Sequence, residues 1–171
     1  IAFDSVKTPV GKKERILGGS LTHFINAASI IPSLSKGIVG GVGEDFTSQE
    51  EAFFSSRKVD TTDLERLPGK TFFWEGYYEK DMNQAFTLKT ELNVFADFSP
   101  KISEANAKTR FLFLGNIDPV LQLSVLEKVE FETCFMDTMN FWLETKKEEV
   151  LKVLKKITGL IINEGEAFLL T

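Results

Sequence analysis

The chain has 171 residues, 43% hydrophobic and 26% charged, with a formal net charge of -5. That is enough apolar chain for a real core, and the acidic balance excludes the basic footprint of a nucleic-acid binder. No run approaches the ~18 apolar residues of a membrane span, and the start lacks the basic-then-apolar pattern of a signal peptide. The chain does not begin with Met, and Ile1-Ala2-Phe3 reads as the tail of a strand. A fragment of a longer protein is therefore expected.

Strands alternate with helices along the chain, which predicts an α/β fold with a mostly parallel sheet. Residues 5–17 are polar and alternating, with Pro9 and Gly11 as turn signals, and predict a hairpin-like excursion. Gly18-Gly19 opens a helix with Leu21, Phe24, Ile25, Ala28 and Ile31 on one face, ended by Pro32. Residues 37–42 read as a short apolar strand. A second helix starts at Ser48, with Glu51 completing a capping box.

The period changes over 70–95. Phe72-Phe73-Trp74-Glu75-Gly76-Tyr77-Tyr78 is β-type sequence, Lys80-Asp81-Met82-Asn83 is a turn, and Phe86, Leu88, Thr90, Leu92 and Val94 alternate with polar neighbours. This predicts an antiparallel ribbon inserted between βα units. Strand 110–114 follows, then a helix with Pro119 at its first position. Strand 130–136 comes next. Thr145 and Glu148 suggest another capping box, opening a helix with Val150, Val153, Leu154 and Ile157 inward and Lys152, Lys155 and Lys156 outward. Strand 160–162 and a helix over 164–170 complete the chain. The single cysteine, Cys134, cannot form an internal disulfide, and its apolar setting predicts a buried thiol in a reducing compartment.

Several pieces stand in a telling order: Ala2-Phe3-Asp4, Gly18-Gly19-Ser20, the run from Gly37 to Asp45, the ribbon, Asp137-Thr138-Met139-Asn140, and Ile162-Asn163-Glu164-Gly165-Glu166. Together they resemble the ribokinase/PfkB family of ATP-dependent sugar and nucleoside kinases, over essentially the whole chain. The resemblance implies a ribokinase-like three-layer α/β/α domain with a mostly parallel sheet and a small β-sheet lid, built here from about 5–17 and 70–95 and cut short. It implies Asp4, at the end of the first strand, as the carboxylate that binds sugar hydroxyls. It implies Gly18 and Gly19 as the diglycine whose bare backbone approaches the substrate.

His23 stands where the family often has an asparagine, which leaves the sugar's identity open; it is a candidate for substrate contact. The turn Gly40-Gly41-Val42-Gly43-Glu44-Asp45 shapes the sugar pocket in the family, with Asp45 as a candidate. The same turn is an incomplete dinucleotide fingerprint, since Phe46 follows where a further glycine is needed, and this argues against an oxidoreductase. Asn163 and Glu166 match the family's Asn-x-x-Glu motif, which organises Mg²⁺, its waters and the ATP phosphates. On local sequence alone the same pair reads as a helix cap. Asn116 and Asn140 follow strands and are candidates for the substrate and nucleotide sides of the cleft.

The acidic balance and the lack of an apolar span predict no nucleic acid or membrane partner, and the lone cysteine a cytoplasmic protein. The resemblance further implies a sugar or nucleoside as small-molecule partner and a lid whose aromatics permit a homodimer. The family's Gly-Ala-Gly-Asp string, with its anion hole and catalytic base, does not occur in these residues, so no catalytic residue is assigned. An adenosine or nucleoside kinase, and a relative that binds without chemistry, are the alternatives.

Overall fold

The computed structural model describes residues 1–80, 82 and 85–171. Asp81 and Asn83 of the expected turn lie outside the described residues. The chain packs as two compact units, Ile1–Ser99 and Pro100–Thr171. Both are mixed α/β, and parallel pairing predominates along the chain, as expected. Among the described residues, no helix is long and apolar enough to cross a membrane.

In the first unit, β1 (Ala2–Thr8) and β2 (Gly11–Gly18) form the expected hairpin. The register slips between Asp4 and Val6, so Ser5 faces two residues, Glu14 and Arg15. Arg15 takes a positive φ of 48° and its N–H donates to Ser5 Oγ at 3.0 Å, the mark of a β-bulge. Strand β5 (Phe73–Tyr78) runs parallel to β1, and β6 (Ala85–Glu91) pairs antiparallel with β5. Hairpin and ribbon therefore share one four-stranded sheet, ordered β2-β1-β5-β6. The ribbon stops at Glu91, and Leu92 and Val94 belong to a tight turn around Asn93–Phe95 instead of the strand.

Helix α1 (Ser20–Ala28) ends a turn before Pro32. Ile25 is buried, but Phe24 is 40% and Ile31 56% exposed, so the predicted apolar face is only partly used. Strand β3 (Lys36–Val42) leads to α2 (Ser48–Ser55), whose capping box is Thr47 with Glu50, one residue earlier than expected. Glu51 pairs with Arg66 instead. Arg66 closes β4 (Val59–Arg66), a strand parallel to β3 that the sequence pattern does not predict. Its sequence VDTTDLER has two apolar residues in eight and gives no alternation signal. Phe3, Ile25, Ile38, Val42, Phe46 and Phe54 form the unit's core.

In the second unit, β7 (Lys108–Leu114), β8 (Glu130–Asp137) and β9 (Gly159–Ile161) form a parallel sheet in that order. Helix α3 (Pro119–Leu126) has Asp118 as its cap and Pro119 in its first turn, as expected. The expected Thr145–Glu148 box does not form. Thr145 is the last residue of α4 (Asn140–Thr145), with its hydroxyl donating to the Phe141 carbonyl. The chain breaks at Lys146, and α5 (Lys147–Leu154) starts with no side-chain cap. Val150 and Val153 are fully buried against Cys134 and Met136. Burial pushes the Cys134 thiol up to about 11, so it is an inert core group. Helix α6 (Glu164–Leu170) follows β9.

Thr71, 1% exposed, ties its own segment to the turn at 43–45. Its hydroxyl accepts from the Gly43 N–H at 2.9 Å and donates to Asp45 Oδ1 at 2.8 Å. Thr71→Val keeps the shape and removes both bonds, which is expected to cost about 1–3 kcal/mol. Urea denaturation followed by circular dichroism reads this, and an unchanged midpoint would refute the role.

Candidate functional site

Asp4 does not end its strand, because β1 continues to Thr8. It stands where the bulge begins, between Ile16 on β2 and Trp74 on β5. Its Oδ2 accepts the Gly19 N–H at 3.2 Å. A Cβ on Gly18 would fall 2.0 Å from that same oxygen, so only glycine leaves room for the carboxylate. Gly19 has φ 84°, and its Cβ would meet the Ala2 backbone nitrogen at 2.9 Å. The Asp4 carboxylate thus meets the diglycine through a steric fit plus a hydrogen bond.

Burial pushes the Asp4 carboxyl above its ordinary value. The Gly19 hydrogen bond and the nearby His23 charge pull the other way and do not cancel it. His23 is exposed on the first turn of α1, with its N–H donating to the Gly19 carbonyl at 3.2 Å. Asp4, Gly18, Gly19 and His23 are therefore one cluster.

Trp74 shares Asp4's face of the sheet, since register partners of a parallel pair point the same way. Its ring lies across Gly76, where a Cβ would fall 2.3 Å from it, and its indole N–H donates to Thr87 Oγ1 at 3.0 Å. Asp45 belongs to a different constellation. Its Oδ1 accepts the Thr71 N–H at 2.7 Å, and Oδ2 pairs with Arg15 at 2.8 Å. Arg15 in turn covers the ring of Phe3, whose side chain takes the face opposite Asp4. Burial raises the Asp45 carboxyl, but the hydrogen bonds from Arg15 and Thr71 outweigh it and hold it below the ordinary value. Both oxygens are thus committed to structure.

In the second unit, Asn163 and Glu166 form a reciprocal cap. The Asn163 N–H donates to Glu166 Oε2 at 3.0 Å, and the Glu166 N–H donates to Asn163 Oδ1 at 2.9 Å. Burial, joined by the negative charge of Asp137, raises the Glu166 carboxyl despite the Asn163 bond. A buried carboxylate with an anionic neighbour is relieved by a cation, and the oxygen donors suit a hard one. Asn116 Oδ1 accepts the Trp142 indole N–H at 3.0 Å. Asn140 is the half-buried first residue of α4. Two further placements emerge only from the structure. Trp74 is a neighbour of Asp4 through strand register, which local sequence does not carry. Gln122 is a buried amide in α3, and its one sequence signal is a lone amide in an apolar helix.

No protein-family model matches the sequence, and no curated protein matches it. Solved structures do. A Methanocaldococcus jannaschii nucleoside kinase, described as an archaeal member of the ribokinase family, matches 99% of the chain at 16% identity and a TM-score of 0.70. The chain has the ribokinase-like fold. An Anopheles gambiae adenosine kinase gives a TM-score of 0.72 over 99% of the chain at 16% identity. A Cryptococcus neoformans ribokinase gives 0.69 over 96% at 17% identity. The chain spans 60%, 66% and 55% of those three structures respectively.

The raised Asp4 carboxyl means that its ionised form weakens the folded state. That cost is absent below the ordinary carboxylate range and grows as pH rises through the raised value. Asp4→Asn is therefore expected to melt higher than the parent chain near pH 7, with the gap closing as pH falls toward about 4. Melting temperatures across a pH series check this; a gap that persists in acid contradicts it.

Proposed function

We propose that the intact protein transfers the γ-phosphoryl group of ATP to a hydroxyl of a sugar or nucleoside. The observation that carries this reading is the Asp4 carboxylate seated over Gly18 and bonded to the Gly19 N–H. A carboxylate in a fixed plane accepts hydroxyl protons and orients a polyol. Three structures of like fold are named as a nucleoside kinase, an adenosine kinase and a ribokinase, the last with ADP bound, which supports the class of chemistry.

Asp4 would hold the acceptor's hydroxyls, and His23, exposed on α1, would contact its outer part. The β1–β2 hairpin and the β5–β6 ribbon would serve as lid, keeping water from the transferring phosphoryl group. Asn163 and Glu166 would hold Mg²⁺ through water. Asn116 and Asn140 follow the C-terminal ends of β7 and β8, the end of a parallel sheet that ligands favour. When bound, Mg²⁺ supplies positive charge against the phosphate oxygens. Trp74 favours the nucleoside within this class, because it stands on Asp4's face of the sheet and its indole, laid over Gly76, would offer a planar base a stacking surface. The buried Cys134 thiol fits a cytoplasmic setting.

A panel of sugars and nucleosides with ATP and Mg²⁺ tests the reading on the intact protein. Turnover of one acceptor is expected; tight binding of an acceptor without turnover would favour the non-catalytic alternative. Because no Gly-Ala-Gly-Asp string occurs in the 171 residues, this chain assayed alone is expected to show no turnover. Gly18→Ala drives a methyl into Asp4 and is expected to raise the acceptor KM roughly 10-fold or more, with the ATP KM unchanged. Equal effects on both would count against Asp4 as the acceptor's anchor.

A further inference from the structure

Helix α3 reads PVLQLSVL, and its Gln122 is 2% exposed. A buried primary amide demands partners, since an unmet polar group is costly. Gln122 Nε2 donates to the Gly115 carbonyl at 2.9 Å and to the Asp137 carbonyl at 3.1 Å. The register of β7 with β8 ends at Leu114 and Met136. The two carbonyls thus lie just past the last paired residues, and one side-chain amide bridges the strand ends where the ladder stops.

Two more contacts join the same segments. Trp142 Nε1 donates to Asn116 Oδ1 at 3.0 Å, and Lys146 Nζ pairs with Asp118 Oδ2 at 2.5 Å. Asp118 also caps α3, its Oδ1 accepting the Val120 N–H at 3.0 Å. Residues 115–118 after β7 and 137–146, from the end of β8 onward, are therefore held to each other, and Gln122 is the buried member of the set.

We propose that Gln122 is a positioning residue for the phosphate-donor side: it holds the loop after β8, which carries the nucleotide-side candidate Asn140, against the end of β7. This rests on the kinase reading above. Leucine at this position would keep the bulk and release both carbonyls. Asparagine would keep the amide and shorten its reach, so that it spans one carbonyl only.

The test uses Gln122→Leu in the intact protein, with Gln122→Asn as the milder variant if the first does not fold. Val125→Ala, on the same helix and packed on the same core, is the control for general destabilisation. Hydrogen exchange is expected to quicken about 10-fold or more at 115–118 and 138–142 in the Gln122 variant and not in the β7–β8 strands. The ATP KM is expected to rise ~5- to 20-fold with the acceptor KM within about 2-fold, while Val125→Ala changes neither selectively. Uniform exchange, or a local rise with an unchanged ATP KM, would overturn the proposal, as would the same pattern in the control. A wild-type protein without phosphotransfer would sink the kinase reading and with it the donor role, while the exchange contrast would still decide whether Gln122 holds the two loops.

Discussion

The first unit is organised around one steric condition: a carboxylate occupies the volume where residue 18 would carry a Cβ. Everything near it follows. Gly19 takes a left-handed φ and turns its N–H to the carboxylate, and that turn starts α1. The bulge after Asp4 lets the hairpin continue to Thr8 and Gly11 while keeping Asp4 beside the diglycine. An alanine at 18 would have to displace the carboxylate from its place over the diglycine.

Both units bury a carboxylate at some cost to the fold and offset it locally with backbone hydrogen bonds. Asp4 takes the Gly19 N–H, and Glu166 takes the Asn163 N–H. In both, the ionised form stays disfavoured. Groups held in this way are common at functional sites, and under the proposed function a polyol hydroxyl would partner Asp4 and a cation Glu166. The committed carboxylate of Asp45 is the contrast, since its two oxygens are already satisfied by Arg15 and Thr71.

Much of this is legible in the chain. The hairpin, the ribbon, the strand–helix alternation of the second unit and the cap at Asn163 all follow from period, turn residues and cap spacing. What escapes has physical causes. Strand β4 is acidic and rich in threonine, and it is recognised only through its pairing with β3. The cap falls at Thr47 and not at Ser48, a choice local pattern leaves open because two hydroxyl residues stand side by side, each with a glutamate three residues on. The placement of Trp74 next to Asp4 across the strands, and the bonds of Gln122 to two strand ends, depend on strand register and helix placement that no local pattern contains.

The chain's two tryptophans fall one in each unit, Trp74 in the first and Trp142 in the second. Each indole N–H is donated to a side-chain oxygen, Thr87 in one case and Asn116 in the other. Emission from either ring therefore reports on its own half of the protein. A pair of single-indole variants would separate the melting of the two halves optically, with no dye attached.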